Sequence, residues 1–322
     1  MKLTTSQLLS GLMGVCVGDA LGVSVEFTPR RILLENPVIE MQGFGTYNQP
    51  PGTWSDDSSL TFCLAEAMCE GVSPTTELLA RTADNFCRWY ESGFWTPHGV
   101  VFDIGNATAR AIRRLQAGVS PTEAGGTDET SNGNGSLMRI LPVAFAYELL
   151  DFPQLIELAH QISCLTHAHP RSQIGCSIYI SIAVCLLQGK QPHSAYLEAI
   201  QQVAPIYAQP PYASEKHHFQ RVLAGNIATL SLAEIRSSGY VVDSLEAALW
   251  CFLNSTSYPE AVLKAVNLGE DTDTTAAITG GLAGIYYGRE NIPSDWSQQI
   301  ARQDEIIDLA SRLQTTLTVS CQ

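Results

Sequence analysis

The sequence predicts an all-α protein, on three observations. Apolar residues recur at helical spacing in one segment after another, strand-like alternation is hard to find anywhere, and short clusters of Gly, Pro, Ser and Asn separate the segments. Leu8, Leu12, Val15 and Val17 set the first helix, and the same spacing returns over residues 60–69, 76–90, 154–165, 172–187, 244–253 and 260–268. Punctuation such as Gly71-Val72-Ser73-Pro74 and Gly189-Lys190-Gln191-Pro192 suits short connections between packed helices. No linker, low-complexity tract or long-period repeat divides the chain, so residues 1–322 read as a single domain.

Composition narrows the function class. A hydrophobic content of 45% is ample for a large core, and a net charge of −14 is drawn from only 16% charged residues. The chain is acidic without being a disordered polyanion, and no basic patch is present to grip a nucleic-acid backbone. An anionic ligand would have to rest on backbone N–H groups, helix N-termini or a bound cation. Nine cysteines form no CxxC pair and mostly sit among apolar residues, from Cys16 to Cys321, which reads as free thiols in a reducing cytoplasm. Lys2 and the apolar stretch from Leu8 to Val17 faintly resemble a signal peptide, but Asp19 follows without a small-x-small cleavage pattern, and no downstream run reads as a membrane span.

Two acidic clusters open helices at opposite ends of the chain. "GTWSDDSSLT" places Ser55, Asp56, Asp57 and Ser58 in tandem before an apolar helix, although a helix start needs only one such cap. "GEDTDTTAAITGGLAGIYYG" places Asp271, Asp273 and Thr274 before a helix so rich in Ala and Gly that it must pack closely against neighbours. Buried acids at two such starts would repel each other unless a cation lay between them. Carboxylates and hydroxyls without Cys or His suit a hard ion such as Mg²⁺ or Mn²⁺, and four aspartates could serve two ions. Glu26 stands next to last in "GDALGVSVEF", where the first helix gives way to a long irregular stretch over residues 28–54. A second such stretch, residues 118–136, ends in "SNGNGS", whose Ser131, Asn132, Gly133, Asn134 and Gly135 could cradle phosphate ahead of the helix read in "LMRILPVAFAYELL". "FDIGNATARAI" puts Asp103 at a helix start, where capping is the plain alternative. "THAHP" lacks the further ligands that zinc would need, so His167 and His169 point to a polar contact with a ligand or a buried hydrogen bond.

In order along the chain, these motifs and "SSGYVVDSLEAALWCF" resemble the ADP-ribosylglycohydrolase family, especially its bacterial branch typified by the dinitrogenase-reductase-activating glycohydrolase. The resemblance runs from residue 11 to residue 288. It implies a compact orthogonal helical bundle with a binuclear Mg²⁺ or Mn²⁺ centre that hydrolyses the bond between ADP-ribose and an acceptor. By motif, it implies metal ligands Ser55, Asp56, Asp57, Asp271, Asp273 and Thr274, with Glu26 reaching the metals from its loop. Relatives often have Thr where this chain has Ser55, and either hydroxyl can ligate. The resemblance further implies that residues 131–135 hold the pyrophosphate, with His167 nearby and Tyr240 flanking the adenosine end. Asp103 would face the acceptor, where a carboxylate pairs bidentately with a guanidinium and favours ADP-ribosyl-arginine.

The expected partner is an ADP-ribosylated protein, with ADP-ribose as ligand and product and a monomer as the default state. Competing readings are a hydrolase of serine-linked ADP-ribose or O-acetyl-ADP-ribose, and a silent ADP-ribose-binding module. The complete acidic set speaks against the silent module.

Overall fold

The structure, a computed structural model, describes residues 3–73 and 75–319. Lys2, Pro74 and Cys321 of the sequence reading lie outside the described residues. Among those described there is no strand, only two isolated bridges, Gly126 with His167 and Gly133 with Tyr240. The helices are α1 (Thr5–Gly22), α2 (Arg30–Glu35), α3 (Asp56–Met68), α4 (Thr75–Ser92), α5 (Asn106–Gln116), α6 (Phe152–Cys164) and α7 (Pro170–Leu187). They continue as α8 (Pro192–Val203), α9 (Gln220–Leu223), α10 (Val241–Leu253), α11 (Tyr258–Val266), α12 (Thr272–Tyr287), α13 (Ser294–Ser297) and α14 (Gln303–Val319). The periodic segments of the sequence all fall within these helices or end a residue or two beyond them.

Helices α1 and α12 pack backbone to backbone at the centre. A Cβ on Gly14 would stand 2.2 Å from the Gly280 carbonyl oxygen, and one on Gly22 would stand 2.3 Å from the backbone of Asp273. Small residues at those positions let the helices approach closely, and this approach sets the end of α1 beside the start of α12. Thr272 Oγ1 fixes the junction by donating to the Gly22 carbonyl at 2.8 Å. Two acidic segments more than two hundred residues apart in sequence are thereby brought to one place. The buried apolar side chains form a contiguous cluster around this pair, from Leu3 to Leu317. Helices α1 and α7 are long and apolar enough to cross a membrane, and both are buried inside the fold. The eight described cysteines are free.

One helix differs from expectation. After the SNGNG loop the chain turns up to Ile140 and then runs as a 3₁₀ helix over Leu141–Glu148 instead of an α-helix. Pro142 has no N–H for an α ladder. In addition, the Arg139 guanidinium donates to the Gly135 carbonyl, the acceptor that the Arg139 N–H would use in an α-helix.

Candidate metal centre and its cavity

The start of α3 shows why its acids are in surplus. Ser55 is the N-cap, accepting from Asp57 N at 3.2 Å. Asp19, an acid in the otherwise apolar α1, accepts from Ser55 N at 2.9 Å, Ser58 N at 3.0 Å and Ser58 Oγ at 2.5 Å. Capping is thus complete without the side chains of Asp56 and Asp57. Asp57 is fully buried; its Oδ2 accepts from Ser55 Oγ at 3.1 Å and Thr274 Oγ1 at 3.2 Å, and its Oδ1 has no partner.

At the start of α12, Asp271 Oδ2 accepts from Asn134 Nδ2 at 2.7 Å. Asp273 Oδ1 accepts from Thr274 N at 2.8 Å, while its Oδ2 is buried and unpartnered. Glu26 Oε2 is the third buried carboxylate oxygen here with no partner. Glu26, Asp103 and Asp273 each bring an oxygen within 4.8 Å of the others, close enough to share a metal ion. Burial pushes the carboxyls of Asp56, Asp57 and Asp273 well above the usual range. Neighbouring acids add to it, led by Asp103 for Asp56, Asp19 for Asp57 and Glu26 for Asp273. Glu26 is pushed up to about 9, first by burial and then by Asp103, and burial raises Asp271 against the Asn134 hydrogen bond. So many adjacent buried acids cannot all be charged without a cation. An all-oxygen donor set with three vacant lone-pair positions fits a hard metal ion.

Asp103 is not a cap. Helix α5 starts at Asn106 with Gly105 as N-cap and no side-chain capping bond, so the capping alternative is corrected. The Asp103 carboxylate instead accepts from Tyr47 Oη at 2.5 Å, and its backbone is left-handed at φ +53°. Phe27 and Glu270, next in chain to Glu26 and Asp271, are left-handed too, at φ +63° and +62°. Non-glycine residues in this region store strain, and three of the seven among the described residues are Asp103 and the chain neighbours of Glu26 and Asp271.

The glycine-rich loop forms a second wall, in contact with the acids through Asn134. Asn132 O accepts from Val241 N at 3.0 Å and Asn134 N donates to Gly239 O at 3.0 Å, which makes Gly133 and Tyr240 a non-hydrogen-bonded pair and turns the Gly133 N–H away from that segment. Asn134 Nδ2 also donates to Ser244 Oγ at 2.8 Å, joining the loop to both α10 and the acids. His167 packs beneath the loop, so close that a Cβ on Gly135 would stand 2.8 Å from its Cε1. Arg139 donates to Thr166 Oγ1 at 2.6 Å, and the same oxygen lies 2.8 Å from His167 Nδ1. With the Thr166 hydroxyl as donor to Nδ1, the imidazole proton stands on Nε2, toward Gly133. Burial, reinforced by Arg139, lowers the His167 pKa to about 3, so the ring is neutral.

The two walls share a cavity of about 330 Å³, lined by Glu26, Asp56, Asp103, Asp271 and Thr274 of the first and by Gly133, Asn134, Gly135 and His167 of the second. Ser55, Asp57 and Asp273 are buried and do not line it. Of the loop expected to hold pyrophosphate, Ser131 lines a separate cavity of about 140 Å³ with Arg110 and Arg114, and Asn132 is outside both linings. Tyr240 is half-buried, outside the main cavity, with the Arg171 guanidinium 5.8 Å from its ring centre. His169 caps α7 by accepting from Arg171 N at 3.2 Å. A second acid–histidine group, Glu129, His169 and Glu215, already surrounds a cation, because Arg171 bonds both glutamates at 3.1 and 2.6 Å. Sequence reasoning missed Tyr47, Asp19 and Arg139; only Asp19 carried a mark, an acid within an apolar helix.

The ADP-ribosylglycohydrolase family profile matches residues 2–321. The chain is 34% identical over 306 residues to the ADP-ribosylarginine hydrolase Tri1 of Serratia proteamaculans, an alignment covering 94% of this chain and 77% of that protein. It is 29% identical over 297 residues to the ADP-ribosyl-[dinitrogen reductase] glycohydrolase of Rhodospirillum rubrum, covering 91% of this chain and 89% of the other. A solved ADP-ribosylglycohydrolase-related protein complex superposes with a TM-score of 0.77 at 30% identity, over 97% of this chain and 98% of its own. The profile spans nearly the whole length and takes in both acidic helix starts: the chain belongs to the ADP-ribosylglycohydrolase family.

Proposed function

We propose that the protein hydrolyses the N-glycosidic bond between ADP-ribose and an arginine of a modified protein, using two Mg²⁺ ions that Mn²⁺ can replace. The observation that carries this reading is the trio of buried, unpartnered carboxylate oxygens, Glu26 Oε2, Asp57 Oδ1 and Asp273 Oδ2, beside one cavity. Ser55, Asp56, Asp57, Asp271, Asp273, Thr274 and Glu26 would hold the ions. Bound there, divalent ions supply positive charge that polarises ribose hydroxyls and lowers the pKa of water. The chain's own residues do the rest. The acid wall favours the oxocarbenium-like charge that develops when a glycosidic bond breaks. The Gly133 and Gly135 N–H groups and the Nε2–H of neutral His167 offer donors to the pyrophosphate. Asp103, steadied by Tyr47, orients the acceptor guanidinium. Residues 1–322 would act as one domain, as a monomer, in a reducing cytoplasm that suits the free thiols.

The direct test incubates the protein and Mg²⁺ with ADP-ribosyl-arginine, ADP-ribosyl-serine and O-acetyl-ADP-ribose in parallel. ADP-ribose should be released fastest from arginine. Faster release from either of the others would replace the acceptor assignment, and binding of ADP-ribose without any release would make the protein a binding module.

A further inference from the structure

Phe27 is anomalous in two ways. Its backbone is left-handed at φ +63°, a conformation that strains a bulky side chain, and the residue is 65% exposed even though it lines the cavity. Backbone bonds on both sides hold it there. Phe27 N donates to Glu270 O at 2.6 Å, Glu270 N donates to Thr28 O at 2.9 Å, and Thr46 Oγ1 donates to Glu26 O at 2.7 Å. Glycine would relieve the backbone and a polar side chain would suit the solvent, yet an aromatic ring occupies the position.

The same cavity contains Asp103, whose carboxylate is fixed by Tyr47. An aromatic face and an immobilised carboxylate on one cavity are complementary to a planar cation, which stacks on the first and pairs in its plane with the second. We propose that Phe27 is a specificity residue: its ring is the face on which the guanidinium of the acceptor arginine lies while Asp103 pairs with it. A serine-linked acceptor presents no cation and gains nothing from the ring. This inference rests on the arginine reading above and adds the group that makes the cavity select for it.

The experiment compares wild type with Phe27→Leu, Phe27→Tyr and Phe27→Gly, measuring kcat/KM on ADP-ribosyl-arginine and ADP-ribosyl-serine, Kd for free ADP-ribose, and Tm. Phe27→Leu keeps bulk but removes the π face, so the arginine-to-serine ratio should fall roughly two- to thirtyfold, the span of a cation–π contact. Affinity for ADP-ribose should be unchanged, and Phe27→Tyr should restore the ratio. Phe27→Gly should lower the ratio as Leu does without lowering Tm, because glycine relieves the left-handed backbone. A purely structural role predicts the reverse, a drop in Tm with the ratio intact. If wild type prefers arginine and Phe27→Leu keeps that preference, or loses ADP-ribose affinity in proportion, the Phe27 assignment is overturned and the arginine reading survives. If wild type cleaves only the serine-linked substrate, both fall.

Discussion

The two walls of the cavity are completed to different degrees. On the loop wall, Asn134, Ser244, Thr166, His167 and Arg139 are joined by hydrogen bonds, and although Asn132 Oδ1 and Arg139 Nε lack partners, neither is an anion. On the acid wall, three carboxylate oxygens are buried without partners and their neighbours are other acids. The loop wall is preorganised to receive a ligand, whereas on the acid wall Ser55, Thr274, Asn134 and Tyr47 hold one oxygen each of Asp57, Asp273, Asp271 and Asp103 and the remaining buried oxygens are left to face one another. An isolated protein chain can finish the first with its own atoms; the second needs a cation from outside.

Removing acids is the strongest way to break that contrast. Asp56→Ala should lower hydrolysis on the order of a thousandfold, about 4 kcal/mol of transition-state stabilisation. In EDTA the same variant should melt no lower than wild type, since it loses a repulsive neighbour and no hydrogen bond. Asp271→Ala should be as inactive but less favoured in EDTA, because it also removes the acceptor of Asn134. Full activity of either variant at low Mg²⁺ would show that the acids do not hold metal. Adding metal is the complementary measurement: Mg²⁺ or Mn²⁺ at a hundred times Kd should stabilise the native state by about 2.7 kcal/mol and raise Tm. Identical melting with metal and with EDTA, on metal-free protein, would leave the acid wall unexplained.

Asp103 lies where the comparison is sharpest, because it belongs to both tasks. Its oxygen is near Glu26 and Asp273, while its proposed work is on the acceptor. Asp103→Asn weakens a charge-assisted contact of about 1.5–3 kcal/mol, so turnover of ADP-ribosyl-arginine should fall by roughly one to two orders of magnitude. Free ADP-ribose lacks the guanidinium and should bind about as before. Equal loss of both would assign Asp103 to the metal set alone.

What the sequence disclosed follows the same division. Asp56, Asp57, Asp271 and Asp273 were legible because consecutive acids exceed what a helix start can use, and the helices were legible because their periods are local. The small residues of α12 also disclosed its burial. Contacts made by loops across large separations were not legible: Tyr47 reaches Asp103 from an irregular stretch without any period, and Gly133 meets Tyr240 from more than a hundred residues away. The α-helix expected after the SNGNG loop failed because a side chain, Arg139, took the carbonyl that local propensity assigns to the backbone.

A prediction that concerns the loop wall alone is read through pH. His167 has a native pKa of about 3 against an ordinary value of 6.5, because burial disfavours its charged form and Arg139 adds to this. A depressed native pKa means that the unfolded chain takes up the proton first. The stability that neutral His167 provides is therefore complete above pH 6.5 and is lost as pH falls toward 3, with a slope reaching about 1.4 kcal/mol per pH unit. His167→Gln removes the titrating ring but can still place an N–H beside Gly133. The stability difference between wild type and this variant should then be constant above pH 7 and should narrow steadily from pH 6 to pH 4. Because the acids and any metal are common to both proteins, their own titration cancels in the difference. A gap that stays constant down to pH 4 would mean that His167 is not held neutral beneath the loop, and the donor chain from Arg139 through Thr166 would have to be redrawn.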